Sequence, residues 1–258
     1  MKGKKGFLLL ILFIMCTLGI NAETKPTGKE ILNQIAGTSA LNGSGSALIK
    51  LKTINRKGQE KQQALQIYRI ETSSEEKQLI EFIAPNDVKG TKFLSLKNTS
   101  NNQEEMWLYL PALKRERRIA GHMTQDNFMG TDFTFEEISG SYKDNYLATR
   151  LADEKIGSRS CYVLELQPKD KTSQYKMVKM WIWQEEVLPL KIEFYNKEGK
   201  LWKELLAENI EKQSNGIYLP LKISMLNKLA ETTTIIIVEE NSAKEPKEDY
   251  FTMQYLRR

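Results

Sequence analysis

Apolar residues recur along this chain with two different periods. Near the start, Ile31, Leu32 and Ile35 fall on one face of a 3.6-residue repeat, behind a Thr27-x-x-Glu30 capping box and ahead of Gly37, which predicts one short helix. From Ala47 onward the period becomes two. Ala47, Ile49 and Leu51 alternate with Lys50 and Lys52, Asn55-Arg56-Lys57-Gly58 makes a hairpin turn, and Leu65, Ile67 and Ile70 mark the return strand. Further strands are predicted at Leu79–Ala84, Phe93–Leu96 and Met106–Leu110. In the second half they are predicted at Leu147–Ile156, Cys161–Leu166, Tyr175–Trp183, Val187–Tyr195, Leu201–Ile210, Ile217–Leu226 and Thr232–Val238. The linkers Ile156-Gly157-Ser158, Asn196-Lys197-Glu198-Gly199 and Ser214-Asn215-Gly216 carry turn chemistry. Many short strands joined by tight turns predict a mainly β chain with a few helices (α+β). Its strands form one large curved antiparallel sheet, an incomplete β-barrel covered by helices or loops.

Two stretches depart from simple alternation. In Tyr175–Trp183, Met177, Trp181 and Trp183 share one parity while Val178, Met180 and Ile182 share the other, so both faces are apolar. Ile235 to Val238 poses the same question. Something must cover the second face, either a packed helix or loop or an apolar ligand. The other stretch is a loop-like run, Phe128-Met129-Gly130-Thr131-Asp132-Phe133-Thr134-Phe135-Glu136-Glu137. Its Phe128, Met129, Phe133 and Phe135 need a place to bury. They plug an open edge of the sheet or rest on its concave face as a lid.

Composition changes the picture at the N-terminus. Lys2, Lys4 and Lys5 precede an apolar run from Phe7 to Leu18, and small or polar residues follow to Ala22. This is the order of a signal peptide, expected to span residues 1–22 with cleavage after Ala22, and it places residues 23–258 in the periplasm as a single domain. The 38 basic and 33 acidic residues become 35 and 33 once Lys2, Lys4 and Lys5 are removed. So balanced a chain offers no electrostatic case for nucleic acid. Cys16 leaves with the signal, and the remaining Cys161 sits in an alternating apolar run, as a buried small hydrophobe does.

Candidate chemistry is sparse. His122 is the only histidine, in a loop-like Gly121-His122-Met123-Thr124, and no P-loop, nucleophile elbow or dinucleotide fingerprint is present. Asp126, Asp132, Glu136 and Glu137 could approach a hard cation, but they lack EF-hand spacing. Internal salt bridges or solvated charge explain them, and the nearby Lys114, Arg115, Arg117 and Arg118, more simply. No enzyme activity, metal or cofactor is expected.

The run Trp-Leu-Tyr-Leu-Pro-Ala-Leu-Lys-Arg-x-Arg-Arg-Ile (107–119), paired with Phe-Met-Gly-Thr-Asp-Phe-Thr-Phe-Glu-Glu (128–137), resembles the LolA-like outer-membrane lipoprotein-sorting proteins. The closing Asp249-Tyr250-Phe251-Thr252-Met253-Gln254-Tyr255-Leu256 is similar to that group's C-terminal segment. The resemblance implies an unclosed barrel whose concave apolar face receives acyl chains, and it brings no catalytic residue. The expected function is a periplasmic carrier or binding protein for lipoproteins or lipids. Candidate ligand contacts are Met177, Met180, Trp181, Trp183 and Met225 on strands, with Phe128, Met129, Phe133 and Phe135 on the lid. The alternative is a non-catalytic envelope interaction module that docks on an inner-membrane transporter or a regulator through Arg115, Arg117 and Arg118.

Overall fold

The structure is a computed structural model and describes residues 25–35, 41, 43–140, 145–213 and 216–258. The expected signal peptide, its cleavage site, Cys16, Gly37 and most of the Ser214–Gly216 turn lie outside the described residues. The short helix α1 (Gly28–Gln34) comes first. Both halves of its capping box form: the Glu30 N–H donates to Thr27 Oγ1 at 3.2 Å, and the Thr27 N–H donates to the Glu30 carboxylate at 2.7 Å.

Fourteen strands follow among the described residues. The first six are β1 (Gly45–Ile54), β2 (Glu60–Glu71), β3 (Glu75–Ala84), β4 (Lys92–Asn98), β5 (Gln103–Leu110) and β6 (Arg115–Ile119). After a linking segment come β7 (Tyr146–Arg150), β8 (Glu154–Ile156), β9 (Arg159–Pro168) and β10 (Tyr175–Trp183). The last four are β11 (Leu188–Asn196), β12 (Leu201–Lys212), β13 (Tyr218–Asn227) and β14 (Thr232–Ser242). Two more short helices, α2 (Phe135–Ser139) and α3 (Met253–Leu256), complete the chain.

All fourteen strands belong to one antiparallel sheet. Its order is β6-β5-β4-β3-β2-β1-β14-β13-β12-β11-β10-β9-β7, with β8 paired to β9. Most neighbours in the sheet are neighbours in sequence, as short hairpin turns require. The pairing of β1 with β14 joins the two halves, and β6 and β7 are left as unpaired edges, so the barrel does not close. The expected hairpin at Asn55–Gly58 forms, with Asn55 Oδ1 accepting from the N–H groups of Lys57 and Gln59 and Gly58 at φ 76°. The single strand expected over Leu147–Ile156 is instead two, because the Leu151 N–H donates to the Val163 carbonyl and the chain turns before β8.

Period-two alternation puts every second side chain on the inner face. There, Ile49, Leu51, Leu65, Ile67, Phe82 and Phe93 build one apolar cluster from β1–β4. Leu164, Leu166, Val178, Met180, Ile192 and Met225 build a second from β9–β13, and Ile31, Leu32 and Ile35 of α1 pack on it. The outer face is covered twice. Phe251 and Leu256 of the C-terminal segment lie on Ile70, Leu79 and Leu94. Cys161, Val163, Trp181, Trp183 and Leu190 form a separate outer cluster.

Candidate ligand-binding site

The inner face is capped by the segment from Gly121 to Gly140, which runs over the sheet without joining its ladder. Phe128 turns inward because the two residues after it adopt left-handed backbone, Met129 at φ 46° and Gly130 at φ 78°. Phe128, Phe133 and Phe135 are all buried. Phe128 packs between Phe93 and Phe135 at ring-centroid distances of 5.5 and 5.4 Å, both edge-on, and lies 6.0 Å from Phe82. The segment is braced within itself. The Phe128 N–H donates to the Phe133 carbonyl at 2.7 Å, the Phe135 N–H to the Asp126 carbonyl at 3.2 Å, and Thr131 Oγ1 to the Phe128 carbonyl at 2.7 Å.

The sequence led to a loop here, yet Glu136 and Glu137 lie on α2. Thr134 and Glu137 form a second capping box, and Gly140 ends the helix in the left-handed conformation at φ 79°. The signal, Thr134-x-x-Glu137, is the same one that identified α1.

Two acidic side chains fasten this cap to the floor. Asp132 accepts hydrogen bonds from Thr232 Oγ1, from Thr234 Oγ1 at 2.8 Å and from Asn227 Nδ2 at 3.3 Å, while its own N–H donates to Thr234 Oγ1 at 2.9 Å. Glu137 receives both Lys203 Nζ, at 2.9 Å to each oxygen, and the Tyr175 hydroxyl at 2.6 Å. Lys203 is 2% exposed and stands 5.1 Å from the rings of Tyr175 and Phe194. Burial and the adjacent Glu137 charge push the Tyr175 hydroxyl well above its ordinary pKa, so it stays a donor. Asp132 and Glu137 therefore serve as internal clamps. No group of three or more His, Cys, Asp or Glu among the described residues could hold a metal ion.

Among the described residues, two small voids lie beneath the cap, and a more open, polar hollow of about 360 Å³ borders its edge at Asn127, Thr131 and Asp132. One void, about 60 Å³, is lined by Ile49, Leu51, Leu65, Ile67, Phe128 and Phe133, and at one end by Arg69, Gln78 and Ser139. The other, about 30 Å³, lies among Phe133, Tyr175, Met180, Phe194 and Met225. An apolar void of about 150 Å³ holds a single benzene, so neither void admits an acyl chain while the cap is seated.

Of the ligand contacts expected from sequence, Phe128 and Phe133 border the larger void, and Phe133, Met180 and Met225 border the smaller. Phe135 is buried beside Phe93 without reaching either, and Met129 and Met177 are half-buried. Trp181 and Trp183 point to the outer face. Lys179 and Lys191 lie over the Trp181 ring at 4.4 and 4.7 Å, Arg159 over Trp183 at 4.7 Å, and Trp181 Nε1 donates to Glu154 at 2.7 Å. Arg115, Arg117 and Arg118 are exposed on the edge strand β6. Arg115 and Arg117 are paired with Leu110 and Leu108, and Arg118 reaches Glu105 at 3.7 Å. His122 is exposed in the turn Gly121–Gln125, whereas Cys161 is fully buried with its thiol pKa raised by that burial. Reading the sequence did not single out Lys203, Thr234, Arg69 or Gln78, which look like ordinary polar positions of alternating strands.

A family model described as an uncharacterized protein matches residues 74–258. No curated protein matches the chain. Among solved structures, an outer membrane lipoprotein-sorting protein domain from Vibrio parahaemolyticus is similar at 28% identity and TM-score 0.80, over 90% of this chain and 98% of that one. A DUF1329 family protein from Desulfovibrio piger is similar at 26% identity and TM-score 0.77, over 89% of this chain and 97% of that one. A LolA superfamily protein from Nitrosomonas europaea shares the fold at 21% identity and TM-score 0.70, over 90% of this chain and 100% of that one.

Proposed function

The chain belongs to the family described as an uncharacterized protein, whose model covers residues 74–258, and from its likeness to an outer membrane lipoprotein-sorting domain we propose that it is an exported, non-catalytic periplasmic carrier. Its cargo is a lipoprotein or lipid whose acyl chains rest on the inner face of the open barrel, in the place taken here by the aromatic cap. The observation that carries this reading is the cap itself. Phe128, Phe133, Phe135 and Ile138 cover an apolar sheet face, but the segment holds to the strands beneath mainly through side chains.

Magnitudes favour an exchange. Burying four such side chains contributes roughly 6–12 kcal/mol at about 1.5–3 kcal/mol each. A sixteen-carbon chain contributes on the order of 12 kcal/mol at about 0.8 kcal/mol per CH₂. Replacing one by the other is nearly balanced, which lets a carrier both load and release. Protein purified without detergent is expected to yield bound acyl lipid by mass spectrometry, or to take up a dansylated fatty-acid probe. No lipid, and no probe binding at micromolar protein, would overturn the reading.

The small size of the voids favours a second reading, an envelope interaction module whose interior stays filled by its own side chains. It would then present Arg115, Arg117 and Arg118 on the open edge β6 to a membrane transporter or regulator. Capture of inner-membrane proteins that is unchanged when all three are replaced by Ala counts against it.

A further inference from the structure

The larger void is apolar along most of its length and polar at one end. Its apolar wall is made by Ile49, Leu51, Leu65 and Ile67, and the polar end by Arg69, Glu76 and Gln78 of β2 and β3. Gln78 is 4% exposed, and its Oε1 is the one buried side-chain oxygen or nitrogen among the described residues without a hydrogen-bond partner. While α2 keeps its seat this amide cannot turn over, because Nε2 donates to the Ile138 carbonyl at 3.1 Å. An acceptor buried and unmatched is costly, so such atoms normally meet a donor.

The charges around it narrow the donor. Arg69, its side chain 5% exposed, is already held by Glu71 at 2.9 Å and Glu76 at 3.0 Å, and Glu76 and Glu137 also border the void. A fatty-acid carboxylate offers only acceptor oxygens. It would face Gln78 Oε1 without a proton to share, and would meet two further carboxylates.

The geometry points to Gln78 as the reader of the cargo's head group: it accepts a hydrogen bond from a donor at the base of the acyl chain, an N-acyl amide or an alcohol rather than a free fatty acid or an ester. The assignment rests on the carrier reading above, since the chain must take the place of Phe128 and Phe133 while α2 stays seated and Ile138 holds the Gln78 amide. Arg69, locked between two carboxylates, sets the polar limit of the site.

The test is competition against a dansylated acyl probe by N-methyldodecanamide, methyl dodecanoate and dodecanoate. The wild-type protein should bind the amide about threefold to tenfold more tightly than the ester, the factor one net hydrogen bond supplies, and dodecanoate more weakly than the amide. In Gln78→Leu the amide-to-ester ratio should fall to about one. An N-dodecanoyl peptide that competes better than the simple amide would assign the donor to a lipidated chain terminus, and equal competition to a free amphiphile. Equal binding of amide and ester by the wild-type protein overturns the assignment while leaving the carrier reading intact. Failure of every acyl compound, probe included, overturns both. The wild-type comparison stands even where the variant folds poorly.

Discussion

Lys203 places its amino group in the buried interior and is matched there by one carboxylate, one backbone carbonyl and three aromatic rings. Removing one partner of such a pair strands the other, at about 3–5 kcal/mol, whereas replacing both is often nearly neutral. Lys203→Met is therefore expected to lower the unfolding free energy by about 3–5 kcal/mol, and the double variant with Glu137→Gln to recover part of it, as read by urea denaturation. Equal loss in single and double variants would remove the pair from this account. Glu136, beside it, behaves differently. Burial, and then the neighbouring Glu137 charge, raise its pKa above 4.5, with the Asn145 amide opposing. The folded protein thus keeps this proton where the unfolded chain has lost it. Its contribution is full below about pH 4.5 and is lost as the pH rises through the folded value. Glu136→Gln should melt progressively higher than the wild type as the pH goes from 4.5 towards neutrality. Parallel melting curves across that range would contradict the assignment.

The cap is the element on which function turns, and Asp132 is its principal tie. Its carboxylate accepts from Thr232, Thr234 and Asn227, and hydrogen bonds to charged groups contribute about 1.5–3 kcal/mol each. If acyl chains bind only when the cap is lifted, the apparent affinity is reduced by the fraction of time it is seated. Asp132→Ala should then tighten acyl-probe binding by roughly tenfold or more, and unchanged or weaker binding would show that the cap does not gate the site. The cap is also where reading the sequence stopped short. Its four large apolar residues predict a segment that must bury, while the spacing of Asp126, Asp132, Glu136 and Glu137 leaves internal salt bridges and solvated charge equally open. The helix α2 is hidden in the sequence because five residues are too few to show a 3.6 period, although its capping box is present. The strands were legible because a half-buried sheet writes alternation into the chain. Where both faces are covered the alternation disappears. In β10 the two parities are equally apolar, because Trp181 and Trp183 are shielded outside by the stems of Lys179, Lys191 and Arg159. Which of them faced inward became clear only from the pairing with β9, where Trp181 lies opposite Val163 and Met180 opposite Leu164.

At the scale of the molecule, an incomplete barrel suits a task that needs an apolar interior without a sealed one. The strand order leaves β6 and β7 apart, and the cap rather than a strand closes the inner face. A closed barrel would fix its interior volume, whereas an open sheet with a detachable cover can exchange its own aromatic side chains for a guest. The polar clamps at Asp132 and Glu137 give the cover a defined seat, and the two voids beneath it are each too small for an acyl chain. The central claim is that cargo and cap compete for the same face. Amide hydrogen exchange of residues 126–134, followed with and without saturating N-methyldodecanamide, tests it most directly. The account predicts that the ligand speeds exchange in this segment while β1, β2, β12 and β13 stay protected. Binding that leaves the segment's exchange unchanged, or slows it, would contradict the account.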